Sequence, residues 1–189
     1  MKKLIIGVCA VALALSAAAQ EQESAAGAPP SKTERASWPI WVAFNSTKNI
    51  DVIGARLTLP YGACENVTGF DLGFFGRARY FEGLQLNILR NDVADSFAGV
   101  QVGIYNSAGR ADAIGFQIGL WNEAHSFRGC QIGLVNLAEV GTGLQVGLIN
   151  RAEALYGFQA GLVNVIRESE FVFIPIVNVG FDSYTDPKF

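Results

Sequence analysis

The residues of this chain that could perform chemistry are few and widely separated. His125 is the only histidine, and Cys9, Cys64 and Cys130 are the only cysteines, so a tetrahedral zinc set cannot be drawn from neighbouring positions. The sequence has no Gly-x-Ser-x-Gly nucleophile elbow, phosphate-binding loop or calcium loop. We therefore predict that the protein is not an enzyme and carries no cofactor and no metal.

Carboxylates are the remaining catalytic candidates, since a glycosidase needs two of them converging in a cleft. The acids lie mainly in short connections between apolar segments, where a solvated edge is the simpler interpretation. They are Asp92, Asp95, Asp112, Glu123, Glu139, Glu153, Glu168 and Glu170. His125 occupies the same kind of connection, so we interpret it as a solvated turn residue rather than a catalyst.

Amide side chains, by contrast, recur at a fixed spacing. The stretch that begins at Gly143 reads Gly-x-Gln-x-Gly-x-x-Asn-x-Ala, and close copies begin at Gly99, Gly115, Gly129 and Gly157. Weaker copies begin at Gly54, Gly69 and Gly83. A fixed short period is typical of a repeat architecture. We assign a structural ladder to the recurring amides Gln85, Gln101, Gln117, Gln131, Gln145, Gln159, Asn106, Asn122, Asn136, Asn150, Asn164 and Asn178.

Within one repeat the side chains alternate with a period of two. Leucine or valine at 144, 146 and 148 alternates with glycine or glutamine at 143, 145 and 147. This pattern predicts a β-strand, and the glycine content would destabilise a helix. Asn150 then ends the regular run, because asparagine tolerates turn conformations. Each repeat is predicted to be a strand, an arc, a short strand and a turn.

Two all-β architectures accommodate such repeats. The first is a β-solenoid of about nine 14–16-residue repeats, in which equivalent residues stack and amides bond along the axis. The alternative is a ten-stranded antiparallel outer-membrane β-barrel, which suits alternating segments and a terminal Phe189. Barrel turns should differ between the two rims, whereas the connections at 125–128, 139–142 and 153–156 are equally short. The sequence therefore favours the solenoid.

The direction in which the two faces point stays open at this stage. If the glutamines face the interior, Leu144, Val146 and Leu148 point outward and form a large exposed apolar surface. Either those apolar residues form the interior, or a membrane or a partner covers them. Tyr105 and Trp121 occupy one equivalent position in two repeats, and we name them as contact candidates beside their simpler role in packing.

The ends of the chain predict export. Residues 1–19 have the Lys2-Lys3 start, apolar run and Ala-x-Ala site of a signal peptide, and 20–37 has the composition of a flexible spacer. The repeat domain spans 38–181, with an N-terminal cap (38–53) and a C-terminal cap (171–181), and 182–189 is a polar tail. Cleavage lowers the formal net charge from −3 to −5. Such a chain is not built to bind nucleic acid through its phosphates.

The repeated motif also resembles two known groups. The Gly-Leu-Gln-x-Gly-Leu-x-Asn repeat and the closing Phe173-Ile-Pro-Ile-Val-Asn178 resemble a group of bacterial exported surface-repeat proteins of unknown function, over roughly residues 38–181. A shorter similarity is to the curlin repeat, although the leading Ser and closing Gln of that repeat are missing. These resemblances imply an exported envelope protein, a stacked β-solenoid and end-to-end assembly.

Together these observations predict a structural or interaction protein located at the outer membrane, the cell surface or the periplasm. Its expected partner is a protein or another envelope component, with membrane contact through the apolar strand face and self-association as further expectations. The alternative function is that of a small integral outer-membrane barrel acting as a pore or an anchor.

Overall fold

The computed structural model describes residues 37–47 and 50–181, and the regular elements within them are strands. These are β1 (Ser37–Thr47), β2 (Asp51–Ile132), β3 (Val135–Val146), β4 (Ile149–Gly161), β5 (Val163–Ile166) and β6 (Ile176–Phe181). Strand β2 is 82 residues long because its backbone keeps neighbouring partners through several coils. The predicted signal peptide, the spacer up to residue 36 and the tail lie outside the described residues.

Successive coils stack in parallel and in register. Strands β1 to β5 pair in chain order, and all four of these pairings are parallel. Gly129 lies beside Gly143, and Gln131 beside Gln145. The fold is therefore a β-solenoid of about nine turns, and the antiparallel barrel is not adopted.

Eight glycines form a column at one corner of the solenoid, and all have positive φ. They are Gly54, Gly69, Gly83, Gly99, Gly115, Gly129, Gly143 and Gly157, and we call them the corner glycines. A Cβ atom added to Gly143 would lie 2.0 Å from the carbonyl oxygen of Gly129. Since only glycine permits both this φ and this approach, the corner glycines fix where each coil turns.

The interior has a second, apolar half beside the amides. Rings of Phe81 and Phe97 stack with centroids 6.1 Å apart. Further along this row Gly141 leaves room for its neighbours, because an added Cβ would lie 2.2 Å from the ring of Phe127 and 2.7 Å from Leu155. Large and small residues thus compensate each other from coil to coil, as dense packing requires.

The chain reverses direction at its C-terminal end. Strand β6, inside the predicted cap 171–181, pairs antiparallel with β4, so that Gly157 faces Gly180. A reversed strand does not continue the register of the repeat, which is how a cap would act. At the other end, β1 overlaps the predicted N-terminal cap 38–53, starts one residue before it, and pairs with β2 through two register shifts.

Candidate functional site

The glutamines form one continuous ladder inside the solenoid. Each lies two residues after a corner glycine, and five successive Nε2 groups donate to the Oε1 of the glutamine in the preceding coil at 2.7–2.9 Å. Gln131 and Gln145, for example, are 1% and 0% exposed. Because each internal amide has a donor and an acceptor in the next coils, these polar groups can be buried without a large penalty.

A buried ion pair closes the start of this glutamine ladder. Asp71 and Arg56 occupy the glutamine position in the two preceding coils, and Gln85 Nε2 donates to Asp71 Oδ2 at 2.9 Å. Arg56 Nε donates to Asp71 Oδ1 at 2.8 Å, and both side chains are fully buried. Burial alone would raise the pKa of Asp71, but the guanidinium and neighbouring amides lower it overall.

The asparagines form a second ladder with the opposite polarity. Starting from Asn91, five Nδ2 groups in turn donate to the Oδ1 of the asparagine in the following coil at 2.7–2.8 Å, and the row ends at Asn164. Asn164 then donates to the carbonyl of Ile174 at 3.2 Å. Donation runs toward the start of the chain in the glutamine ladder and toward its end here, so the two rows of amide dipoles oppose each other.

Asn178 does not join the asparagine ladder in which the sequence placed it. Because β6 is antiparallel, Asn178 lies beside Gln159 instead of stacking on Asn164. Its Oδ1 accepts from the backbone of Val179 at 2.9 Å. Among the described residues, the Nδ2 of Asn178 and the Oε1 of Gln159 are buried without a partner, so the glutamine ladder ends less completely satisfied than it begins.

The outer surface of the same coils carries the opposite chemistry. Side chains one, three and five residues after each corner glycine point outward and form three parallel columns, which we call the apolar stripe. Its most exposed members are Leu57, Phe70, Leu72, Phe74, Ile88, Ile104, Phe116, Ile118, Leu120, Ile132, Leu134, Leu144, Leu148, Phe158 and Leu162. Here the question left open by the sequence is answered: the amides face inward and the leucines outward.

The columns of the apolar stripe contain no charged residue. In the seven residues that begin at each corner glycine, the only charged side chains are Arg56 and Asp71, and both are buried. All other charged residues of the repeat region lie in the second half of the coil or in the connections. The solenoid is therefore amphipathic around its circumference, with one apolar and one charged side.

Tyr105 and Trp121 lie at the boundary between the two sides, six residues after Gly99 and Gly115. Their rings stack with centroids 6.5 Å apart. The Tyr105 hydroxyl donates to Glu123 Oε2 at 2.6 Å, and the guanidinium of Arg90 lies 4.7 Å from the tyrosine ring centroid. Burial, together with the bond to Glu123, raises the pKa of Tyr105. Both contact candidates therefore have an apolar ring beside the stripe, and the tyrosine hydroxyl is directed to the charged side.

The charged side contains a shallow groove of about 260 Å³. Its ionisable lining residues are Glu123, His125, Glu139, Arg151 and Glu153. His125 Nδ1 lies 2.8 Å from Glu139 Oε2, and Glu153 pairs with Arg151 at 2.7 Å. The partners in these pairs are at least one-third exposed, as expected for a solvated edge. No group of three His, Cys, Asp or Glu residues in the described part of the chain could hold a metal ion.

Cys64 and Cys130, the cysteines within the described residues, have free thiols. Cys64 is buried in the interior near Arg56, whereas Cys130 is half-buried in the apolar stripe. Their places in different coils and on opposite sides of the sheet explain why they do not meet.

Sequence reasoning missed the role of Arg56 and Asp71. The available signal was their spacing, since each lies two residues after a corner glycine, where later coils have glutamine. It also missed Asn91, because this ladder residue lies eight positions after Gly83, whereas the later ladder asparagines lie seven positions after their corner glycines.

Comparison of the chain with protein-family models, curated proteins and solved structures finds no match. Within residues 37–47 and 50–181, the structure contains no helix long and apolar enough to cross a membrane.

Proposed function

We propose that this protein is an exported, non-catalytic component of the cell envelope or cell surface, and that the apolar stripe is its interaction surface. The observation that carries the proposal is the alignment of fifteen large apolar side chains, each at least 38% exposed, in columns that contain no charged residue. Single exposed apolar residues are ordinary, but a contiguous patch of this kind usually marks a contact.

The dimensions of the stripe support a contact role. With coils about 4.8 Å apart and strand residues about 3.3 Å apart, eight coils give a surface roughly 40 Å long and 15 Å wide. That area, on the order of 600 Å², is at the upper end of the patches found on ordinary monomers. The glutamine and asparagine ladders have a structural role in this proposal, since their side chains are buried and each ladder is bonded from coil to coil.

Fractionation of expressing cells tests the proposal. The intact protein should remain with the envelope fraction, and its mature N-terminus should be Gln20. A Leu120→Gln, Leu134→Gln, Leu148→Gln variant should be exported equally well but should leave the envelope fraction. A matched variant of the charged side, Glu139→Gln, Arg151→Gln, Glu153→Gln, should stay. Retention of the first variant, or a cytoplasmic protein with an intact N-terminus, would contradict the proposal.

A further inference from the structure

The proposed function leaves open what covers the apolar stripe, and the structure favours one occupant. We propose that the stripe binds the hydrocarbon boundary of a phospholipid surface, with the solenoid lying on the membrane and its charged side in water. This inference rests on the proposed function, because it names the partner of the same surface.

The apolar stripe offers almost no hydrogen-bonding groups to a partner. Its outward positions hold Leu, Ile, Val, Phe and Ala, with Cys130 as the one sulfur. The backbone groups beneath them pair from coil to coil, for example between Cys130 and Leu144 or Ile132 and Val146. A protein interface of several hundred Å² normally contains several hydrogen bonds, about one per 100–200 Å². This surface offers almost none, whereas hydrocarbon requires none.

The apolar stripe has no feature that would fix the register of a second copy placed against it. The three columns repeat with the spacing of the coil, so two copies placed face to face could slide by one coil, about 4.8 Å, and meet nearly equivalent side chains. Specific assemblies prevent such slippage with polar or charged residues at defined places. A lipid surface has no register, so a periodic apolar stripe suits it better than a second copy of this chain.

Aromatic residues lie at the boundary between the apolar stripe and the charged side. Tyr105 and Trp121 lie where the stripe meets the charged side, and the Tyr105 hydroxyl is bonded to Glu123. Tyrosine is enriched where one end of the ring is in an apolar medium and the hydroxyl is in water, as at the headgroup level of a membrane. Trp121 contributes only its ring, because its Nε1 is buried without a partner. The groove residues Glu139 and Arg151 belong to the side that would remain hydrated.

Flotation of the purified protein with phosphatidylcholine vesicles tests the proposal. We expect the protein to float with the vesicles, and the Leu120→Gln, Leu134→Gln, Leu148→Gln variant to partition at least about tenfold more weakly. The Glu139→Gln, Arg151→Gln, Glu153→Gln variant should float like the unmodified protein. Circular dichroism and thermal unfolding of each variant show whether the fold is kept. A single Leu162→Gln change, at a side chain 66% exposed, provides a milder second variant that should weaken binding measurably.

Three other outcomes would overturn the lipid proposal, and they separate it from the function on which it rests. Binding that requires phosphatidylglycerol and disappears in high salt would assign the contact to the charged side. Absence of flotation, together with a dimer in sedimentation that the leucine variant abolishes, would assign the stripe to a second copy and preserve its role as an interaction surface. Absence of both flotation and self-association, with the leucine variant still retained by the envelope in cells, would remove both proposals.

Discussion

Gln131 and Leu134 lie three residues apart in one coil and reverse the usual arrangement of a protein. The glutamine is 1% exposed and the leucine is 46% exposed. The amide can be inside because equivalent amides above and below satisfy it, while the leucine, three residues further on, points to the opposite face of the strand. The comparison teaches that stacking holds this fold together, whereas the apolar side chains outside the coil are left available for contact.

The largest effect is expected where the coils approach most closely. In Gly143→Val, the new side chain would require positive φ and would collide with the carbonyl of Gly129, so the free energy of unfolding should fall by more than about 4 kcal/mol. Gly109→Val is the matched control, because a Cβ there meets no atom within 4 Å and should change stability by less than about 0.5 kcal/mol. Urea unfolding followed by circular dichroism measures both, and equal effects would show that the close approach of the coils at the corner glycines does not limit stability.

Breaking the buried ion pair at the start of the glutamine ladder should have the next largest effect. Asp71→Asn leaves the Arg56 charge buried and unpaired, which we expect to lower the free energy of unfolding by about 3–5 kcal/mol. Asp95→Asn removes a partner of Arg79 from an exposed pair and should cost less than about 1 kcal/mol. If the two changes had similar effects, the ladder would not depend on its charged end.

The same ion pair predicts how stability depends on pH. The folded-state pKa of Asp71 is lowered from its ordinary value of 3.8, so the pair contributes fully at neutral pH, and its contribution is lost as the pH falls below 3.8 through the folded pKa. Thermal unfolding between pH 7 and pH 2 should show this loss, and Asp71→Asn should show less of it. An identical acid profile in the variant would assign the dependence to other carboxylates.

Much of this fold follows from the sequence, for a physical reason that individual positions make clear. Gly143, Gln145 and Asn150 recur at one spacing, and a parallel stack is the arrangement in which every copy meets its equivalent. The spacing alone does not decide whether Gln145 or Leu144 faces inward, because both faces alternate with the same period. The stacked structure decides it, because the Gln145 amide finds its acceptor and its donor inside the coil, on Gln131 and Gln159.

Asn178 shows a second limit of repeat reasoning. The residue keeps the spacing of the repeat, yet the chain reverses before it, and it lies beside Gln159 instead of extending the asparagine ladder. The contact candidates Tyr105 and Trp121 were found from their shared position, but their place at the boundary between the apolar and charged sides is visible only when the coils are stacked. The function is harder to predict than the fold, because the sequence contains no recognisable catalytic set.

The smallest expected effect separates the two cysteines. Burial raises the pKa of both thiols. Cys64 is buried, whereas Cys130 is only half-buried. A thiol-reactive probe at pH 9 should therefore label Cys130 in the folded protein and Cys64 only after unfolding. Mass spectrometry of the modified peptides measures the labelling of each cysteine. Faster labelling of Cys64 than of Cys130 would contradict the assignment of the inner and outer surfaces.

The measurement that tests the account most directly is urea unfolding of Gln131→Leu beside Leu134→Gln. The first change leaves Gln117 Oε1 and Gln145 Nε2 without partners inside the coil, and should lower the free energy of unfolding by roughly 2–5 kcal/mol. The second change places an amide on the apolar stripe and should alter the free energy of unfolding by less than about 1 kcal/mol. If the glutamine variant were as stable as the unmodified protein and the leucine variant were strongly destabilised, the ladder would not hold the fold, and the stripe would not be free for contact.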